Sequence, residues 1–146
     1  AHTDLSKLDI RSLYFQDCEF LWSNLNDTVL DYSTFVDVSF EDCSFYGAFL
    51  YETSFNSCEF ANAKGIIQVG PMPTSGRVIQ AVLHPNENGY EIMVQAGCFW
   101  GTLKELKRKV KDHHNCSVYL STIKMLKKWG KVEYENYKKH QSSHSR

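Results

Sequence analysis

The sequence predicts a mainly β protein in which a block of short repeats stacks on itself and a small α+β module follows. Three observations lead there. A large apolar residue returns at every fifth position, from Leu5 through Ile10, Phe15, Phe20, Leu25, Leu30, Phe35, Phe40, Phe45, Leu50 and Phe55 to Phe60, twelve in register and only Leu, Ile or Phe. Two residues before each stands a side chain that is mostly small, such as Ser23, Thr28, Ser33, Ala48 or Cys58. Beyond residue 76 the period changes to two strand-like runs and then two helix-like ones.

A five-residue period fits neither the 3.6 of a helix nor the 2 of a strand, so it points to a repeat architecture. Residues two apart on extended backbone face the same way. Each pentad can therefore aim one small and one large side chain inward while the other three residues turn a corner and meet water. A side that short buries nothing alone, so successive coils must stack, paired in parallel about 4.8 Å apart.

The segments Cys18-Glu19-Phe20, Ser23-Asn24-Leu25, Cys58-Glu59-Phe60 and Ala61-Asn62-Ala63 resemble the pentapeptide-repeat family. The resemblance implies a right-handed quadrilateral β-helix of about three coils, four pentads to each, over residues 1–67. Every twentieth residue should then stack, placing Phe15, Phe35 and Phe55 in one column and Phe20, Phe40 and Phe60 in another. Three coils at strand spacing would stand about 15 Å tall.

Residues 68–76, rich in Gly and Pro, read as a linker. In residues 77–146, Arg77 to His84 and Tyr90 to Cys98 form a hairpin signal around Pro85 to Gly89. Ile66-Ile67-Gln68-Val69 could add a last strand to the repeats. Thr102 followed by Glu105 is a capping box opening a helix with Leu103, Leu106 and Val110 on one face. A second helix starts near Ser117, with Tyr119, Ile123, Leu126 and Trp129 inward. Gly130 is expected to break or end it, and the polar tail from Lys138 to fray. The expected module is ββαα, capping the exposed end of the repeats.

Five cysteines are an odd number, and Cys18, Cys43 and Cys58 occupy the inward small position. Cys18 and Cys58 would lie two coils apart, about 9.6 Å by strand spacing, beyond the roughly 7 Å a disulfide tolerates. They read as buried thiols of a reduced protein. No apolar run approaches the ~20 residues of a membrane span, and the polar start Ala-His-Thr-Asp-Leu runs straight into the repeats. Neither a signal peptide nor a membrane segment is expected, and the expected location is the cytoplasm, the host's if the chain is phage-encoded.

The net charge of −1 hides a division. Residues 1–66 carry eleven acids against Lys7, Arg11 and Lys64, a balance of −8; residues 67–146 carry thirteen Lys and Arg against six acids, a balance of +7. Such asymmetry suggests an electrostatic role. Asp17, Asp27, Asp31, Asp37, Glu41, Asp42 and Glu52 form the expected acidic partner-binding surface. Trp22, Val29, Tyr32, Phe49 and Tyr51, at outward positions, form an apolar surface for a partner or for self-association. The Lys-rich stretches Lys104 to Lys111 and Lys124 to Lys131 read as solvated helix faces, and direct nucleic-acid binding is not expected.

Gly97-Cys98-Phe99-Trp100-Gly101 looks like the active-site pentad of the A-type methionine sulfoxide reductases. That family places a Glu soon afterwards, where this chain has Thr102-Leu103-Lys104, so no catalytic residue and no cofactor is expected, and a Cys98 reductase stands as the last alternative. His113-His114-Asn115-Cys116 with Cys98 has no usual zinc spacing; adjacent histidines suit a helix C-terminus, and no metal is expected. The stretch Val94 to Leu106 is similar to small uncharacterised phage and prophage proteins. The function expected from these readings is non-enzymatic: inhibition of a nucleic-acid-processing or defence enzyme by carboxylates standing where phosphates would bind. Some pentapeptide-repeat proteins resemble DNA in this way and act on topoisomerases. A scaffold or homo-oligomerising module using the apolar surface is the alternative.

Overall fold

The structure, a computed structural model, describes residues 3–73, 75–111 and 116–144. Its elements are β1 (Tyr14–Gln16), β2 (Thr34–Val36), β3 (Ser54–Asn56), β4 (Ile66–Val69), β5 (Ile79–Asn86), β6 (Gly89–Ala96), β7 (Phe99–Thr102), α1 (Leu103–Val110) and α2 (Cys116–His144). Strands β1, β2 and β3 pair in parallel with partners 20 residues apart, Phe15 opposite Phe35 and Phe35 opposite Phe55. Single-residue bridges repeat that offset on three other rows: Asp4, Asn24, Ser44, Lys64; Asp9, Val29, Phe49; and Glu19, Ser39, Glu59. The first 60 or so residues therefore lie in three tiers, 3–22, 23–42 and 43–62, each with four sides; the rows just given are the first, second and fourth sides, and β1–β3 the third.

The backbone explains the period. Lys7, Ser12, Asp17, Trp22, Asp27, Tyr32, Asp37, Asp42, Glu52, Ser57 and Asn62, with Gly47, hold φ between 53° and 73°, one left-handed residue in every five. A positive φ ends extended backbone, so no side of a tier supports a long strand.

This corrects the expected fold class. The right-handed quadrilateral β-helix of about three coils does not describe the chain, nor does the term solenoid. Among the described residues, regular strand in the tiers is confined to three three-residue segments in one parallel sheet, the other sides meet in isolated bridges, and no closed or solenoid sheet forms. The ββαα module is corrected too. A four-stranded antiparallel sheet, β4-β5-β6-β7, carries the two helices, and the whole is a mixed α/β fold with two sheets rather than a mainly β one. Ile66–Val69 pairs antiparallel with β5 instead of continuing the tiers.

Inside the tiers the large residues pack in columns. Phe35 stacks between Phe15 at 5.1 Å and Phe55 at 5.3 Å, and Phe40 between Phe20 at 5.4 Å and Phe60 at 5.2 Å. The small inward residues do more than fill space. Thr28, Ser33 and Thr53 donate their hydroxyls to the carbonyls of Leu5 (3.1 Å), Ile10 (2.6 Å) and Leu30 (2.9 Å), always 23 residues back. Cys43 and Cys58 donate likewise to Phe20 and Phe35 carbonyls, so a polar atom buried at this position finds its partner in the tier below.

β5 joins the halves. Ile79, Ala81 and Leu83 face the helices, while Val82 reaches the tier interior beside Ile66. The Gly47 N–H donates to the Leu83 carbonyl and the Leu83 N–H to the Gly65 carbonyl, both at 2.9 Å. His84 Nε2 lies 2.6 Å from the Ala48 carbonyl, and burial pushes its pKa down. The expected capping box forms at Thr102 and Glu105. Helix α2 does not stop at Gly130 but runs on to His144, through the expected fraying point. Glycine suits that position for another reason: a Cβ would sit 2.3 Å from Ile92 Cδ1, so α2 approaches β6 closely and a larger residue would have to displace the Ile92 side chain.

The far half of α2 docks on the third tier. Glu133 Oε1 accepts from the Tyr46 hydroxyl (3.0 Å) and from the Gly65 N–H (2.8 Å), and Tyr137 packs on Tyr46 at 4.8 Å. Burial first, and the Glu133 carboxylate second, hold the Tyr46 hydroxyl well above its ordinary pKa of 10.0. A folded pKa raised above the unfolded one contributes stability that is intact below about pH 10 and lost as pH climbs beyond it. In thermal melts, the fall in Tm above that pH should be clearly shallower in Tyr46→Phe; an identical alkaline limb would remove Tyr46 as its source.

Candidate interaction surfaces

The seven carboxylates expected to form one surface divide among four corners of the tiers. Asp17 and Asp37 stand in one column at the corner between the third and fourth sides, and Glu41 and Asp42 at the next corner, between the fourth and first. Asp31 and Glu52 belong to the corner between the second and third sides, where the Asp31 carboxylate accepts the Tyr51 N–H at 3.1 Å. Asp27 lies under Gly47, whose Cβ position is 2.2 Å from its Oδ1, and its charge acts on His84 and Tyr137 at the junction. It does not share a face with the others.

Two acids that the sequence reading left out complete the fourth side. Glu19 and Glu59 are the outward residues of its bridge row, either side of Ser39. With Asp17 and Asp37 they line a shallow recess of about 360 Å³. Their signal was available, because both fall on the 20-residue column. Six carboxylates, Asp17, Glu19, Asp37, Glu41, Asp42 and Glu59, thus gather on one side and its two corners. The ion pairs among the described residues are Arg11–Asp9 and Lys138–Glu135, neither involving this side.

The apolar set also divides. Val29 and Phe49 share the second side's bridge row, the Tyr32 and Tyr51 rings meet edge-on at 5.3 Å on the adjoining corner, and Phe49 meets the His84 ring at 5.2 Å. The neighbouring Tyr32 phenol pushes the Tyr51 hydroxyl pKa up, chiefly because two phenolates this close would repel. Trp22 stands diagonally across the tiers, at the corner of the fourth and first sides, 54% exposed and with φ 58°.

Cys98 is exposed in the turn between β6 and β7. The recess beside it, about 400 Å³, is lined by Glu52, Arg77, Gln80 and Gln95. Cys18, Cys43, Cys58 and Cys98 are free thiols; burial raises the pKa of Cys43 and Cys58. His113, His114 and Asn115 lie outside the described residues, as does the side chain of Cys116. Among the described residues no group of three or more His, Cys, Asp or Glu is placed to hold a metal, and no helix is long and apolar enough to cross a membrane.

Comparison with known protein families, with curated proteins and with solved structures finds no match.

Proposed function

We propose that the chain is a non-enzymatic protein-binding module whose fourth side enters a cationic site on a partner protein, of the kind that otherwise takes nucleic-acid phosphates. The observation that supports this is the row of six carboxylates on one face, held without ion pairs among the described residues. Backbone pairing 20 residues apart fixes their spacing, so little side-chain ordering remains to be done on binding. An uncompensated field of one sign over a surface raises the rate of encounter with an oppositely charged site and makes the complex salt-sensitive. Inhibition follows from occupancy: nucleic acid and the carboxylate face compete for the same cations.

The test is capture of the partner from bacterial lysate, then titration of the purified pair against salt and against duplex DNA. Reversing Asp37, Glu41 and Asp42 to Lys should weaken the complex about tenfold or more, at roughly 0.5 kcal/mol or more per rim charge, and DNA should displace the wild type. A complex insensitive to salt, undisturbed by DNA and unchanged by the three reversals would refute the reading.

A further inference from the structure

At the other end of the molecule α1, α2 and β6 enclose a groove of about 640 Å³. Its floor is apolar, formed by Tyr90, Ile92 and Leu103. Its walls are cationic. Lys104, Lys107, Arg108 and Lys111 run along one flank of α1 at the three- and four-residue spacings that align side chains on a helix, and Lys127 and Lys131 sit one turn apart on α2 across the gap. Glu91 is the single acid in the lining, and none of the six cations is ion-paired among the described residues. A solvated helix face would spread such charges over a convex surface. Here two stripes converge on a concave apolar floor, and the ligand that satisfies both must pair an apolar group with flanking carboxylates or phosphates.

The chain itself carries that combination. At the corner between the fourth and first sides Trp22 is 54% exposed, and its main-chain N–H donates to the Glu41 carbonyl of the next tier, which sets it beside Glu41 and Asp42. Glu19 lies three residues before it on the same side. The tier half as a whole balances at −8 and the module half at +7.

We infer that the groove receives this corner of a second copy of the chain, the Trp22 indole lying on the apolar floor and Glu19, Glu41 and Asp42 facing the cationic walls. The contact is heterologous, so each copy keeps one unfilled groove and one unfilled corner, and association extends with concentration into chains or closed rings. One aromatic anchor in a pocket ringed by charges is the usual anatomy of a small interface, and a contact this limited is weak and salt-sensitive. It also covers Glu41 and Asp42, so self-association and the proposed partner exclude each other, although the contact is independent of whether that partner exists.

The experiment uses the purified full chain alone, in sedimentation velocity over a wide concentration range at low and high salt. The wild type should associate at low salt and dissociate at high salt. Trp22→Ala, the pair Lys127→Glu/Lys131→Glu, and the pair Glu41→Lys/Asp42→Lys should each weaken association about tenfold or more. The quadruple variant carrying both reversals should regain a measurable part of it over either double variant, because the reversed α2 wall again meets its opposite charge while Glu19 still faces the α1 cations. Circular dichroism checks that the variants keep the wild-type fold, as substitutions at these surface positions should. A wild type monomeric throughout would overturn the inference, as would reversals without effect, or a quadruple variant that is folded yet monomeric. Displacement of a fluorescent long-chain fatty acid from a monomeric wild type would overturn it in favour of a lipid anion in the groove.

Discussion

Phe40→Ala should lower the stability of the protein by about 3–5 kcal/mol, the range for removing a fully buried aromatic ring. Phe40 is 1% exposed in the middle tier. Its ring stacks on Phe20 and Phe60 and meets Phe35 at 5.2 Å, Phe45 at 5.3 Å and Phe55 at 5.9 Å. Tiers above and below are tied to it by backbone hydrogen bonds, so neither can settle into the cavity. A loss of that size is a large share of the 5–15 kcal/mol that holds a typical domain together. Urea denaturation measures it. Phe20→Ala removes the same ring from the first tier, where it is only partly buried, and should cost clearly less. Equal losses at the two positions would mean that the middle tier is not the centre of the core.

The columns that make this prediction possible were readable in the sequence, because a five-residue period carried by Leu, Ile and Phe alone has one simple cause: large side chains meeting their equivalents in the next tier. What the period does not reveal is how far the backbone stays extended between corners. Trp22, Tyr32 and Glu52 give no hint of the positive φ they hold, and those corners reduce three of the four sides to single bridges. The hydrogen bonds from Thr28, Ser33 and Thr53 were equally hidden, since a small inward residue serves packing and hydrogen bonding alike. In the second half Gly130 misled for a physical reason. Glycine lowers helix propensity, but tertiary packing against Ile92 selects it within α2.

The surfaces were less legible than the core. Asp17, Asp27, Asp37 and Asp42 all occupy left-handed corners, a conformation in which Asp is enriched. Their acidity therefore mixes a backbone preference with any demand of binding. Only the tier geometry separates Asp27, turned to the junction, from the four acids on the fourth side, and adds Glu19 and Glu59. Trp22 was grouped with Tyr32 and Tyr51 by exposure, yet it stands on the opposite corner. The cationic groove could not be read at all, because two ordinary amphipathic lysine patterns acquire a common focus only when α1 and α2 pack together.

Gly65→Ala should cost about 2–5 kcal/mol, the sum of roughly 1–2 for a side chain at left-handed backbone and roughly 1–3 for overpacking. Gly65 is buried at φ 79°, and a Cβ there would stand 2.8 Å from both the Tyr46 nitrogen and Tyr46 Cδ1. A ring can turn aside; a main-chain nitrogen bound into the tier cannot. The same residue carries the junction, donating to Glu133 at 2.8 Å and accepting from Leu83 at 2.9 Å. Moving it pulls both the α2 anchor and the β5 anchor off the third tier. Chemical denaturation followed by tryptophan fluorescence and by far-ultraviolet circular dichroism should therefore give one coincident transition in the wild type and two separated ones in Gly65→Ala, the mark of lost two-state coupling. Gly76→Ala is the control, because its φ of 69° carries the backbone cost but nothing lies within 4 Å of the added carbon. If the two substitutions cost the same and both keep a single transition, then Gly65 does not couple the tiers to the antiparallel sheet and its helices.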